Sequence, residues 1–492
     1  MPSWPRCVSP KRHETLCYSP RRSKLVQLGE PMTRLIRRWS SLVVACALVL
    51  AAAPAEAQGK TEIHWWHALT GQLAEALVTM AKQFNESQGE YEIKPLNKGS
   101  YPETLTAAIA AYRQKNPPHI VQVFEVGTQT MMLSGAVYPV WELMRDNEIR
   151  IDWNDFIKPV VGYYTKDGKL YSMPFNSSTP IFYYNKDAFK KAGLDPEKPP
   201  KTWQEVEAYA RKLLASGAAK CGFSTAWPSW IQVENMHATH DQPFATKNNG
   251  FAAVDGVELL INREFGVKHI GQLAAWQKEN IFSYGGRMGT ADPKFANGDC
   301  AMFMHSSALI GGFTRNVKFD WGTAELPHWG APYKKATSII GGATLWVLKG
   351  KPQKDYRGVA KFLEFLAKPE QQMWWHVNTG YLAISNTALS NLEQGYHFVR
   401  QPKQYTAFAQ LTGLPPTPPA AMRDKKGPPA KAERVATANS QGLRLGNFVQ
   451  IRDAIESELE NIFAGKKPAK QGLDDAVAKS NGLLKEFAAT NR

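Results

Sequence analysis

Phe175-Asn176-Ser177-Ser178-Thr179-Pro180-Ile181-Phe182-Tyr183-Tyr184-Asn185-Lys186 is the stretch on which the fold turns. Two adjacent serines lead into a proline, which drives the residue before it out of helical geometry. The apolar, aromatic run after the proline favours a strand. The blocks on either side each read as an α/β unit. The chain therefore crosses here from one lobe to another, and Ser178 is expected to face the space between them.

Upstream, Ile63 to Trp66 reads as a strand. Leu73, Leu77, Met80 and Phe84 then recur at the spacing of one buried helix face. Tyr91 to Leu96 is a second strand, expected to be irregular near Pro95. Pro102 suits the first turn of a helix running through Leu105, Ile109 and Tyr112. Ile120 to Phe124 makes a third strand. This βαβαβ order implies a parallel sheet with covering helices. Ligands bind outside the carboxyl ends of such strands, and the residues there are His67, Tyr101 and Glu125.

Downstream, Thr202-Trp203 opens a helix through Val206, Tyr209, Leu213 and Leu214, followed by a Trp- and Ser-bearing patch from Phe223 to Trp230. Ala301 to Met304 reads as a short strand. His305-Ser306-Ser307 after it places hydroxyls where a helix opens, a suitable anion site. Pro327-His328-Trp329-Gly330 and Thr379 to Ser385 read as further crossings. Between them, Ile339 to Val347 is a strand interrupted by Gly341-Gly342, a sign of close backbone approach. Gln401 to Ala436 is rich in Pro, Lys and Ala and reads as a loop or partly disordered insertion. Gly442 to Asn447 is a glycine-flanked loop around Arg444. Ile451, Ile455, Leu459 and Ile462 share the face of a late helix that stops at Gly465. Repeated crossings make each lobe discontinuous, the plan of a hinged protein whose cleft closes on a ligand.

At 492 residues the chain suits two lobes better than one core. Met32 to Ala57 has the form of a secretory signal: Arg34, Arg37 and Arg38, an apolar run from Leu42 to Leu50, and Ala55-Glu56-Ala57 before Gln58. Val43-Val44-Ala45-Cys46 resembles a lipoprotein box, but it lies inside the apolar run, and the soluble periplasmic form is favoured. Residues 1–31 precede a complete signal and read as an upstream extension. Residues 1–57 hold nine Lys/Arg and three Asp/Glu, so +6 of the net +15 belongs to them. Their removal leaves Cys221 and Cys300, whose pairing is open at this level.

The chain resembles the glycerol-3-phosphate-binding members of the two-lobed solute-binding family of bacterial ABC uptake systems, relatives of the maltose-binding proteins. Lys98-Gly99-Ser100-Tyr101, Gln122 to Thr128, Phe175 to Lys186, Ile339 to Val347, Thr379 to Leu382 and Gly442 to Asn447 carry the likeness. Ala68 departs from it, standing where a serine is expected, and the segment before Arg444 is longer than usual. The resemblance implies an α/β, type II periplasmic binding fold, each lobe a mainly parallel sheet flanked by helices. Residues 58–177 and 328–382 would form the N-terminal lobe, and 178–327 and 383–492 the C-terminal lobe. It also implies Tyr101, Glu125, Ser178, Ser306, Gly342, Tyr381 and Arg444 as ligand residues, with Trp203 as a cleft-wall aromatic. The implied ligand is sn-glycerol-3-phosphate, with glycerophosphodiesters such as glycerophosphocholine beside it. The implied partners are inner-membrane permease subunits with their ATPase. A monomer without cofactor or metal is expected.

Those residues suit the chemistry. Arg444 offers a fork of donors for phosphate oxygens, the hydroxyls of Tyr101, Tyr381, Ser178 and Ser306 donate, and Gly342 brings a backbone N–H close. Glu125 would repel phosphate, so it is expected at the glycerol end, and Trp203 against the carbon chain. Taken one at a time, they read as ordinary structure: Arg444 as a surface ion-pair residue, the tyrosines and Trp203 as packing, the serines as caps. A sugar-binding protein of the same fold is the alternative within the class. A secreted metallohydrolase is the alternative outside it, resting on His237-Ala238-Thr239-His240-Asp241 and His64-Trp65-Trp66-His67. No His-Glu-x-x-His, Gly-x-Ser-x-Gly or phosphate-loop motif supports catalysis, and those histidines are expected on the surface. Spread charge and the leader argue against nucleic-acid binding.

Overall fold

The computed structural model describes residues 59–416 and 433–491. The leader, the extension before it and Cys46 lie outside the described residues, as does the centre of the Pro- and Lys-rich stretch. The compact unit spans Lys60–Arg492.

The chain opens as β1 (Thr61–His67), α1 (Gly71–Ser87), β2 (Tyr91–Asn97), α2 (Tyr101–Arg113) and β3 (Ile120–Phe124). β1 pairs in parallel with β2 on one side and β3 on the other. Helix α1 buries Leu77, Met80 and Phe84, as their spacing requires. Helix α2 starts on a reciprocal capping box between Ser100 and Glu103. β2 is regular through Pro95 rather than disturbed by it. It is the edge strand of its sheet, so the proline's missing N–H leaves no ladder bond unmade.

β4 (Met173–Ser178) and β5 (Pro180–Asn185) belong to different sheets, with Thr179 alone between them. Next come α3 (Trp203–Ala215), β6 (Cys221–Thr225), β7 (Cys300–Ser306), α4 (Leu309–Asn316), β8 (Trp321–Ala324) and β9 (Gly341–Leu348). The first sheet runs β2-β1-β3-β9, with a two-residue strand Val137–Tyr138 and β4 also on β9. The second runs β8-β5-β7-β6. Both are mixed rather than mainly parallel. β9 is antiparallel to β3 and β4, and β5 to β7 and β8, because a strand entered by a crossing arrives from the opposite end. The α/β architecture on two sheets otherwise stands.

Cys221 and Cys300 are register partners on the parallel strands β6 and β7, and form a disulfide with Cα atoms 4.6 Å apart. Part of the stretch read as a loop is helical: Thr406–Thr412 buries Ala407, Phe408, Ala409 and Leu411. One short helix with so compact an apolar face falls below what periodicity can show. Two long helices close the chain, α5 (Phe448–Phe463) and α6 (Ala469–Thr490). Among the described residues, no helix is long and apolar enough to cross a membrane.

Candidate binding site

A cavity of about 290 Å³ lies where the carboxyl ends of the parallel strands meet the crossing strands. Tyr101 and Glu125 reach it from the ends of β2 and β3, Ser178 from the β4–β5 crossing and Gly342 from β9. Tyr381 follows a helix Pro369–Thr379 that ends on Gly380, and Ser306 closes β7. Six of the eight residues named from sequence therefore line one cavity.

The geometry around Tyr101 is fixed by a buried relay. Ala68 N–H donates to Gln122 Oε1 (2.8 Å), Gln122 Nε2 to Asn176 Oδ1 (2.8 Å), and Asn176 Nδ2 to the Tyr101 hydroxyl (2.9 Å). The Tyr101 ring stacks on Phe124 at 5.3 Å, and that of Tyr381 on Trp375 at 5.8 Å. Burial pushes both phenols up from their ordinary value, which keeps each a proton donor. The Tyr101 oxygen accepts from Asn176, and its own hydrogen is directed at the Tyr381 hydroxyl, which joins the two phenols at the cavity. Ser177, paired with Gly342 across the ladder, has a buried hydroxyl with no protein partner.

Gly342 has φ +89°, and a Cβ there would sit 1.9 Å from the Asn176 carbonyl oxygen. Gly341 makes room for the Trp230 ring, which a Cβ would meet at 2.2 Å. The two glycines are thus required by close approach, as their place in a strand suggested.

Sequence reasoning missed the charged centre of the site. Arg452 of α5 donates to Glu234 at 2.9 and 2.6 Å and to Glu125 Oε1 at 2.7 Å, all three side chains being buried. Burial raises the Glu125 carboxyl from its ordinary value, the neighbouring Glu234 adding to this and Arg452 opposing it. One guanidinium between two carboxylates has no charge to spare, and Glu125 keeps acceptor capacity toward the cavity. The readable signal was Arg452 next to Ile451 on the buried face, with Glu456 four residues on. Trp227 and Trp230 also line the cavity. Trp230 and Glu234 lie in a π-helical turn, Ser229–Asn235, a form common at functional sites. Helices α1 and α4 both begin at the cavity, at Thr70 and at Ala308-Leu309, where Ser306 Oγ accepts from Ala308 N–H (3.2 Å) and the Ser307 carbonyl from Ile310 N–H.

Two of the eight residues lie off the cavity lining. Trp203 is fully buried in an aromatic core, its ring 5.8 Å from Trp329 and 6.0 Å from Trp276, and it does not line the cavity. As the first residue of a helix capped by Thr202 and Glu205, it is held against that core. Trp227 and Trp230 are the cavity aromatics instead. Arg444 also lies off the cavity lining. Its Nη2 donates to the Tyr163 and Thr165 carbonyls (2.5 and 3.0 Å), its guanidinium packs on the Phe251 ring, and its Nε is buried without a hydrogen-bond partner in the protein.

The histidines read as surface groups are mostly core. His67, His237 and His240 are buried, and only His64 is substantially exposed. His67 ends β1 without lining the cavity. Among the described residues, no group of three or more His, Cys, Asp or Glu side chains is placed to hold a metal ion.

The family model described as bacterial extracellular solute-binding protein matches residues 79–395. The sn-glycerol-3-phosphate-binding periplasmic protein UgpB of Salmonella typhimurium is 45% identical over 444 residues, covering 89% of this chain and 95% of the relative. The protein of the same name from Escherichia coli K12 is 45% identical over 458 residues, covering 92% and 98%. Among solved structures, UgpB from Mycobacterium tuberculosis in complex with glycerophosphocholine superposes with a TM-score of 0.71 at 20% identity, covering 87% of this chain and 99% of that one. Maltose-bound MalE3 of T. maritima superposes at 0.65 and 15% identity, covering 86% and 100%.

Proposed function

The chain belongs to the bacterial extracellular solute-binding proteins, and from that premise we propose that it is the periplasmic component of an ABC importer for sn-glycerol-3-phosphate. Glycerophosphodiesters such as glycerophosphocholine fall within the same ligand class. The observation that carries the reading is the convergence of Tyr101, Glu125, Ser178, Ser306, Gly342 and Tyr381 on one small cavity.

The phosphate is bound by hydroxyls and at the N-termini of α1 and α4, whose dipoles favour an anion. Glu125, with its charge tied to Arg452, accepts from the glycerol hydroxyls. Trp227 and Trp230 pack on the carbon chain. The ligand is small, so affinity comes from a few directed bonds in a dehydrated cleft rather than from area. The protein holds its ligand without transforming it and passes it, as a monomer, to membrane permease subunits driven by an ATPase. Residues 58–177 with 328–382, and 178–327 with 383–492, act as the two lobes that close on the ligand.

A thermal-shift and calorimetric panel of glycerol-3-phosphate, glycerophosphocholine, glycerol, inorganic phosphate and maltose tests this. A ligand held only by the folded form at a hundredfold excess over Kd adds about 2.7 kcal/mol. Glycerol-3-phosphate is expected to shift the melt and maltose to leave it unmoved. A shift by maltose and by neither phosphoester overturns the reading.

A further inference from the structure

The cavity is poor in free positive charge for a site that takes a phosphoester. Its lining carries two carboxylates, Glu125 and Asp292, and two groups able to be cationic, Arg452 and His305. Arg452 is consumed by Glu125 and Glu234. Asp292 would stand as a bare carboxylate facing an anion, were it not for His305.

His305 is the penultimate residue of β7, next to Ser306, and is 5% exposed. Its Nε2 lies 3.1 Å from Asp292 Oδ1. That is an ion-pair distance without a hydrogen bond, and both ring nitrogens, with Asp292 Oδ1, are buried without a hydrogen-bond partner in the protein. A buried ring nitrogen left unpaired in the wall of a cavity costs free energy unless a ligand satisfies it.

Resting on the functional reading above, we propose that His305 is a further specificity residue. It pairs with Asp292 through Nε2 and donates from Nδ1 to a phosphate oxygen of the ligand. The pair does two things at once. It sets a ring donor beside the carboxylate that would repel the anion, and it supplies a hydrogen bond to a charged phosphate oxygen that Arg452 cannot. A neutral polyol gains little from either effect, so the pair separates phosphoesters from glycerol and sugars.

The test is calorimetry of glycerol-3-phosphate with the wild type, His305→Gln, Asp292→Asn and the double variant. His305→Gln exposes the Asp292 carboxylate to the ligand and is expected to weaken binding about 30-fold. Adding Asp292→Asn removes that repulsion and is expected to restore most of the loss, to within about fivefold of wild type. In the wild type, the histidine ring-nitrogen spectrum must show an imidazole nitrogen that moves when glycerol-3-phosphate is added. That measurement decides the matter even where a variant does not fold. Wild-type binding with equal affinity in His305→Gln, additive single effects, or no histidine nitrogen that moves overturns the proposal alone. Failure of the wild type to bind glycerol-3-phosphate overturns the functional reading and this inference together.

Discussion

Two sets of histidines in this molecule look alike in sequence and differ in what their ring nitrogens meet. In the aromatic core, His240 stacks on His328 at 4.1 Å, and protein atoms meet both nitrogens of each ring: the Met236 carbonyl and Trp329 N–H for His240, the Lys334 carbonyl and Gly330 N–H for His328. His269 bonds to Gln232 on one side and Trp329 on the other. At the cavity, His305 has Asp292 3.1 Å from Nε2, and neither ring nitrogen makes a hydrogen bond to the protein. Hydrogen bonds to both ring nitrogens hold those three core rings in place, whereas His305 stands in a cavity wall with neither nitrogen bonded to protein.

Among the tryptophans the division is one of place, with Trp203 in the core and Trp227 and Trp230 on the cavity, and the largest expected effect tests it there. Trp203→Ala should cost about 3–5 kcal/mol of stability by denaturant unfolding. Below the lowered melting point it should leave the glycerol-3-phosphate affinity within about threefold of wild type. A selective loss of affinity with an unchanged melt would return Trp203 to the cavity wall.

Acid should act on the core set next. Burial lowers His237 and His328 to about 4 and His269 to about 3, below their ordinary value of 6.5. The unfolded chain therefore binds more protons than the folded one between pH 6.5 and those values. Stability is fully present above pH 6.5 and is lost as pH falls, by up to about 2 kcal/mol per histidine at pH 5. A melting series from pH 8 to pH 5 should decline, and less steeply in His269→Gln. A flat series would remove the core histidines from the comparison.

Ser178→Ala should give the smallest effect. Loss of one hydroxyl bond predicts about a tenfold weaker affinity and an unliganded melt close to wild type. A fall in the melt without a fall in affinity would place Ser178 with the residues that build the fold.

The frame was legible where periodicity and turn chemistry agree. The strand ends that deliver Tyr101 and Glu125, the crossing at Ser178 and the paired glycines could all be read, because each needs a residue type at a set position. Trp203 was misread because a capped helix start gives no hint of which way its first side chain turns. Arg452 was hidden by the apolar face it interrupts, and its meaning depends on Glu125, 327 residues away in the chain. Long-range charge pairing leaves no local pattern. Arg444 sat in a recognisable loop, yet the carbonyls of Tyr163 and Thr165 that hold its Nη2 could not be foreseen from that loop.

The disulfide between Cys221 and Cys300 spans a sequence separation of 79 residues, and the excursion it closes carries Trp227, Trp230, Met288 and Asp292 into the cavity. By chain entropy, a loop of that length gains about 4 kcal/mol from closure. One wall of the binding site is thereby fastened only in an oxidising compartment. A chain still in the reducing cytosol lacks the clasp, so the pocket matures on the side of the membrane where its ligand is met.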